Sequence, residues 1–199
     1  MLTYIRQDAA SNASEETPKL VMENPSNVAS TKIILANRLF FRLYQCANML
    51  HKTGTRAVEE EGLTTQQWAV LGALSREQAE RGMSIGDLAR YLMVSRQNLS
   101  GLISRMERDG HVAIAPDPQD RRSRVVTMTE SGRHVWLVLA QPKIHDYYER
   151  LLKDFSADDV THALHYLLKI LDNMKMLDAE WTGPGEGDGE QAPGSDRLG

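Results

Sequence analysis

Four helix starts in this chain are written in one chemistry, and together they dictate a mostly helical fold. A side chain able to cap the helix N-terminus is followed, at the third helical position, by one able to reach back to it. Apolar residues flank the pair and clamp the chain's entry. Thr64 has Gln67 at that position, with Leu63 and Trp68 as the apolar clamp; Ser84 has Asp87, with Met83 and Leu88. Ser95 has Asn98, with Val94 and Leu99, and Ser156 has Asp159, with Phe155 and Val160. The apolar stripes downstream agree. Ile85, Leu88, Ala89 and Leu92 succeed Ser84, and Leu99, Leu102, Ile103 and Met106 succeed Ser95, at the helical spacings of three and four. Gly110 then stops the second stripe.

Two further helices, and the course of the one that Ser156 caps, complete the set. Residues 31–52 are apolar on most of the circumference. Thr129 opens a helix running towards Leu152, with a bend expected where Pro142 removes a backbone donor. The last starts at Ser156 and reaches about Met176, repeating Val160, Leu164, Leu167, Leu168, Leu171 and Met174. Only His111 to Ile114 and Arg124 to Met128 read as strands, joined by the polar loop APDPQDRRS. The expected fold class is mainly α with a two-stranded β-wing.

Composition narrows the function classes. The single cysteine, Cys46, excludes an intrachain disulfide, and no Cys/His cluster has zinc spacing. With neither an apolar run long enough to span a bilayer nor a signal segment, no membrane partner is expected and a cytoplasmic location is. A nucleophile elbow, phosphate loop, metal quartet or carboxylate pair is not evident, so neither an enzyme nor a cofactor is expected. The net charge of -4 is uneven: residues 178–199 carry six acids against Arg197, and residues 1–30 are also acidic. The remainder is mildly basic. On composition 1–30 is a disordered N-terminal tail, and 178–199 a disordered acidic tail rich in glycine and proline.

The helix after Ser95 offers its N-terminal turns to the outside without an acid until Glu107. Ser95, Arg96, Gln97, Asn98, Ser100, Gly101, Ser104 and Arg105 form that face. Gln and Asn pair with adenine edges, Arg with guanine, and Ser hydroxyls and helix-terminal amides with phosphate. Ser84, capping the preceding helix, joins this set. Arg121, Arg122 and Arg124 on the ribbon suit phosphates or a narrow minor groove. Ser84 to Leu92, a short turn and Ser95 to Asp109 thus read as a helix-turn-helix that binds double-stranded DNA. The alternative is a winged helix that binds only protein.

The runs LTTQQWAVLGAL, SIGDLARYLMVSRQNLSGLISRMERDGHV and DPQDRRSRVVTMTESG resemble the MarR (multiple antibiotic resistance regulator) family of winged helix-turn-helix transcriptional regulators. Asp120, Arg121 and Arg122, followed by Thr129, Glu130 and Gly132, are the most specific part. The resemblance implies a homodimer with 61–129 as the DNA-binding domain and 31–60 plus 130–177 as a helical dimerisation region. It implies repression of an operator, with Asp120 orienting a wing arginine. Two positions depart from the family: His111 stands where a bulky apolar residue is usual, and Ile114 where an arginine is. The apolar circumference of 31–52 and 156–176 independently exceeds what a monomer needs to bury. A twofold dimer would read a pseudo-palindromic operator.

Family members commonly release DNA on binding a small aromatic or phenolic acid, and the resemblance extends that expectation to a carboxylate or its thioester here. Arg38 and Arg42 stand four apart on the first helix among Leu35, Leu39, Phe41 and Tyr44, a setting that pairs a carboxylate while burying its ring. The alternative for both arginines is an intersubunit ion pair or a snorkelling stem. Tyr44, His51, Trp68 and His111 are further ligand-pocket candidates, each also readable as packing. Cys46 invites a thiol-based redox reading. The family's hydroperoxide sensors resemble this chain at LFFRLY but place their reactive cysteine where Phe40 stands. A buried structural thiol is therefore expected at Cys46. His162 and His165 have no evident third ligand, and no metal site is expected.

Overall fold

The computed structural model describes residues 25–117 and 124–183 and divides into two compact units between Thr53 and Gly54. Helix α1 (Pro25–Val58) provides the described part of the first unit and continues into the second. It starts earlier and ends later than the apolar run 31–52. Proline suits a first helical position because its missing N–H has no partner there, so the helix takes in the end of the expected tail. Gly54 does not break it. A Cβ at Gly54 would lie 3.1 Å from the Trp68 ring, so the residue is the close-approach point of α1's last turns. The helix closes through a 3-10 turn, Glu59–Glu61, and Gly62 at φ 70°.

The second unit is built around α2 (Thr65–Leu74), β1 (Met83–Ser84), α3 (Ile85–Leu92), α4 (Arg96–Arg108), β2 (Val112–Pro116) and β3 (Arg124–Met128). All four expected caps form. Thr64 and Ser156 make reciprocal boxes with Gln67 and Asp159, and Ser84 and Ser95 accept from the amides of Asp87 and Asn98. The Ser156 hydroxyl and amide, both donating to Asp159, hold its carboxyl below the usual carboxylate range.

The expected ribbon is present with one strand added. β3 is central, pairing antiparallel with β2 and with the two-residue β1, so that Val126 faces both Ile114 and Met83. Beneath the sheet, Leu88 and Ala89 of α3, Leu99, Ile103 and Met106 of α4, and Val70 and Leu71 of α2 form one buried core with Val112 and Val126. Each large side chain there contributes about 1.5–3 kcal/mol by leaving water. The opposite face of α4 is thereby fixed outward.

Between α3 and α4 the chain turns on Met93, which takes the left-handed φ of 55°. Val94 N–H bonds back to the Ala89 carbonyl at 3.1 Å. Gly110 ends α4 as expected, at φ 79°, with its own N–H on Glu107 and that of His111 on Met106.

Thr129 then bolts the ribbon to the next helix. Its amide donates to the His111 carbonyl at 3.1 Å, its hydroxyl donates to the Gly110 carbonyl at 2.6 Å, and the same oxygen accepts from Gly132 N–H at 2.9 Å. This starts α5 (Glu130–His134) directly on the base of β2. The single helix expected from Thr129 to Leu152 is instead interrupted by a π segment, Val135–Ala140, before α6 (Gln141–Leu151). Gln141 N–H reaches Trp136, five residues back, and Pro142, which has no N–H to donate, comes immediately after. The irregularity thus lies before the proline.

Helix α7 (Ala157–Thr182) outlasts its expected end at Met176, taking in the first residues of the expected acidic tail. Lys143 of α6 reaches Glu60 at 2.6 Å and also pairs with Glu61, holding the Glu60 carboxyl below and its own ammonium above their ordinary ranges.

The α5 start leaves no room for a side chain at Gly132, where a Cβ would collide with the His111 carbonyl oxygen. We expect Gly132→Ala to lower stability by about 1–3 kcal/mol in urea denaturation. Unchanged stability would show that the junction is slack.

Candidate nucleic-acid interface

Ser95 to Arg105 lie where the sequence puts them, on the face of α4 turned away from its buried stripe. Ser95, Arg96, Gln97, Asn98, Ser100, Gly101, Ser104 and Arg105 are all exposed, and Leu99, Leu102, Ile103 and Met106 are all buried. The Ser95 hydroxyl is committed to the Asn98 amide at 3.3 Å, and the Ser100 hydroxyl donates to the Arg96 carbonyl at 2.8 Å. With its hydrogen so used, Ser100 offers a partner only an acceptor, its oxygen lone pairs. Nothing lies within 4 Å of where a Gly101 Cβ would stand, so that position keeps the ridge low.

Ser84 serves three ends at once. It closes β1, accepts the Asp87 amide at 3.0 Å and donates to the Asp87 carboxylate at 2.7 Å. Arg90 also pairs with Asp87, so the one acid of this helix start is neutralised. Arg124 opens β3 on its exposed side. Arg121, Arg122 and Asp120 fall outside the described residues.

Both positions that depart from the family lie at the wing base. Ile114, half-buried, packs against the core and donates its amide to Glu107 of α4 at 3.2 Å. This ties the ribbon to the reading helix through the backbone. His111 is half-buried, and its Nδ1 is among the buried polar atoms without a hydrogen-bond partner.

Sequence reading passed over two residues near the interface. Gln66 lines, with Ala69, Gln97, Asn98 and Arg105, a cleft of about 450 Å³ between α2 and α4. Gly86, on α3, lies against the Arg96 guanidinium. Neither contact has a periodic signature in the chain.

The ligand candidates are less drawn together. Arg38, Arg42, Tyr44 and His51 are exposed on α1, and Arg42 donates to Gln45 at 2.7 Å. Trp68 is buried, its ring edge-on to Tyr147 at 6.1 Å and tilted against Tyr148 at 5.7 Å. Burial pushes the Tyr148 hydroxyl's pKa up. Trp68 thus packs with the core, and the α2–α4 cleft takes in neither it nor His111. Cys46 is exposed rather than buried, because the surrounding apolar face of α1 is uncovered in the single chain. Among the described residues no three metal-ligating side chains come together, and no helix is long and apolar enough to cross a membrane.

Comparison with known proteins agrees with this geometry. A model of the MarR family matches residues 61–123. The chain is 80% identical over 152 residues to the transcriptional activatory protein BadR of Rhodopseudomonas palustris, covering 76% of this chain and 87% of that protein. It is 30% identical over 110 residues to the homoprotocatechuate degradative operon repressor of Escherichia coli, covering 55% and 72%. Among solved structures, the S. aureus MepR–DNA complex shares the fold at a TM-score of 0.60 and 19% identity, over 67% of this chain and 96% of that one. A reading helix with an acid-free exposed start, a wing mounted on its end and an 80% identical regulator lead to one conclusion: the chain belongs to the MarR family of winged helix-turn-helix proteins and is a DNA-binding transcriptional regulator, not an enzyme.

Proposed function

We propose that the protein acts as a homodimer that lays α4 of each protomer into successive major grooves of a pseudo-palindromic operator. The observation that carries the DNA reading is the exposed, low and acid-free run from Ser95 to Arg105 above a fully buried stripe. In this reading Gln97 and Asn98 face base edges, while Ser84, Ser95, Ser100, Ser104 and Arg105 meet phosphates or flanking bases. Gly101 allows close approach, and Arg121, Arg122 and Arg124 carry the wing to the adjacent backbone. Residues 61–129 form the reading domain.

The dimer is supported by what the single chain leaves in water. Ile33, Leu39, Phe41 and Tyr44 of α1 and Leu164, Leu168, Met174 and Trp181 of α7 are exposed, Tyr44 to 67% and Trp181 to 79%. So much apolar surface on two helices outside the reading domain is a protein contact waiting for its partner. Residues 31–60 and 130–177 are thus the dimerisation region. The double variant Leu164→Glu/Leu168→Glu is expected to be monomeric in light scattering and to lose operator binding. On wild type, footprinting is expected to protect two half-sites about ten base pairs apart; a lone half-site held by a monomer refutes the arrangement.

For the direction of control, the 80% identical relative is named an activator and the 30% identical one a repressor. The closer likeness favours activation over the repression first expected. In a reporter strain, deleting the gene then lowers expression from the operator's promoter and restoring it raises expression. Derepression on deletion reverses the assignment.

The effector is a small aromatic or phenolic carboxylate, or its thioester, consistent with a relative whose operon degrades homoprotocatechuate, an aromatic acid. Arg42 is its carboxylate partner, with Arg38, Tyr44, His51 and His111 as further contributors and Trp68 as scaffolding. We expect Arg42→Ala to keep DNA binding while abolishing the mobility-shift response to aromatic acids. An unchanged response across a benzoate, hydroxycinnamate and phenylacetate panel removes Arg42 from the site.

A further inference from the structure

Arg96 is the first residue of α4 and stands, in sequence, among the groups that would read bases. Its guanidinium goes elsewhere. It lies back across the start of α3, where a Cβ added at Gly86 would come within 2.7 Å of Nη2 and 3.3 Å of Nε and Cζ. The guanidinium's Nε–Nη2 edge therefore rests on the one residue of that turn with no side chain.

Gly86 has no backbone reason to be glycine. It sits inside a regular helix, and the positive-φ glycines among the described residues are Gly62, Gly82, Gly110 and Gly183. Glycine within a helix is otherwise a liability relative to alanine. What it provides here is space for Arg96.

In a helix-turn-helix on DNA, the second helix enters the major groove and the first crosses the backbone. A cation drawn back over the first helix is thus at the phosphates and away from the base edges. Of the acids nearby, Asp87 at the α3 start is engaged by both the Ser84 hydroxyl and Arg90, while Asp178 of α7 lines the same hollow as Gly86 and Arg96, where a phosphate would have to outcompete it for the guanidinium.

We propose that Arg96 is a phosphate clamp and that Gly86 is the residue that positions it, leaving sequence discrimination to Gln97 and Asn98. The inference rests on the DNA reading of α4 given above. It assigns Arg96 a contribution to affinity that is the same for every sequence, and it gives Gly86 a role in DNA binding without contact to DNA.

The test uses the full-length protein and two duplexes, one selected by wild type from a randomised pool and one of equal length with that sequence shuffled. Binding is measured by fluorescence anisotropy across a salt series. Arg96→Ala is expected to weaken both duplexes by the same factor, about tenfold per half-site, and to reduce the salt slope by about 1 per protomer. Arg96→Lys, which keeps the charge, retains the slope.

Gly86→Ala is expected to weaken both duplexes while melting no lower than wild type, since alanine is the better helix former. In the Arg96→Ala background it has no further effect. A change of preferred base in a selection with Arg96→Ala, or an equal loss from Gly86→Ala in both backgrounds, overturns the proposal. If wild type itself binds both duplexes alike and without salt dependence, the DNA reading of α4 fails first, and that outcome is separable from the other two.

Discussion

The mounting of the wing depends on one hydroxyl, that of Thr129. It meets the end of the reading helix at the Gly110 carbonyl and the start of α5 at the Gly132 amide, while the Thr129 amide takes the His111 carbonyl. Three elements with different tasks therefore share one residue's polar groups. Because the contacts are hydrogen bonds with fixed directions, the angle between α4, the ribbon and α5 has little latitude. The missing side chain of Gly132 is the complement of this, a steric requirement that lets the backbones close on each other.

The same economy recurs at the reading head. Ser84 is at once the last residue of a strand and the cap of α3, so the sheet edge and the first helix of the motif cannot move apart independently. The Ile114 amide on Glu107 performs the corresponding service at the other end, joining β2 to α4. Isoleucine packs inward, and so adds the core to the hydrogen bonds with Glu107 and Thr129 that hold the wing base.

Helix starts were the legible part of the chain, because a cap is a local event: donor, acceptor and clamp lie within five residues of one another. The buried stripe of α4 was legible for the same reason. What escaped sequence reading lies at longer range or in boundaries. β1 is two residues long and is hidden inside a capping motif. The true ends of α1 and α7 fall in polar stretches where periodicity fades. Cys46 was expected buried from an apolar helix, yet it is exposed together with the apolar side chains around it. Gly86 and Arg96 are ten positions apart, and nothing in either neighbourhood announces that they touch. Trp68 could be picked out as an aromatic of interest, but only its packing on Tyr147 and Tyr148 decides that it is core.

The π segment before Pro142 has an effect on how this helix is numbered in space. Each residue of an α-helix advances the direction of a side chain by about 100°, and a π turn takes in one residue more than that count allows. Residues on either side of Val135–Ala140 consequently belong to two angular registers. Trp136, Ala140 and Ile144 all reach the core, whereas Leu137, Val138 and Leu139 between them stay exposed. The segment acts as a phase shifter: it lets one continuous rod obey the spacing demanded by the wing mount at one end and a different spacing at the other, without a loop between them.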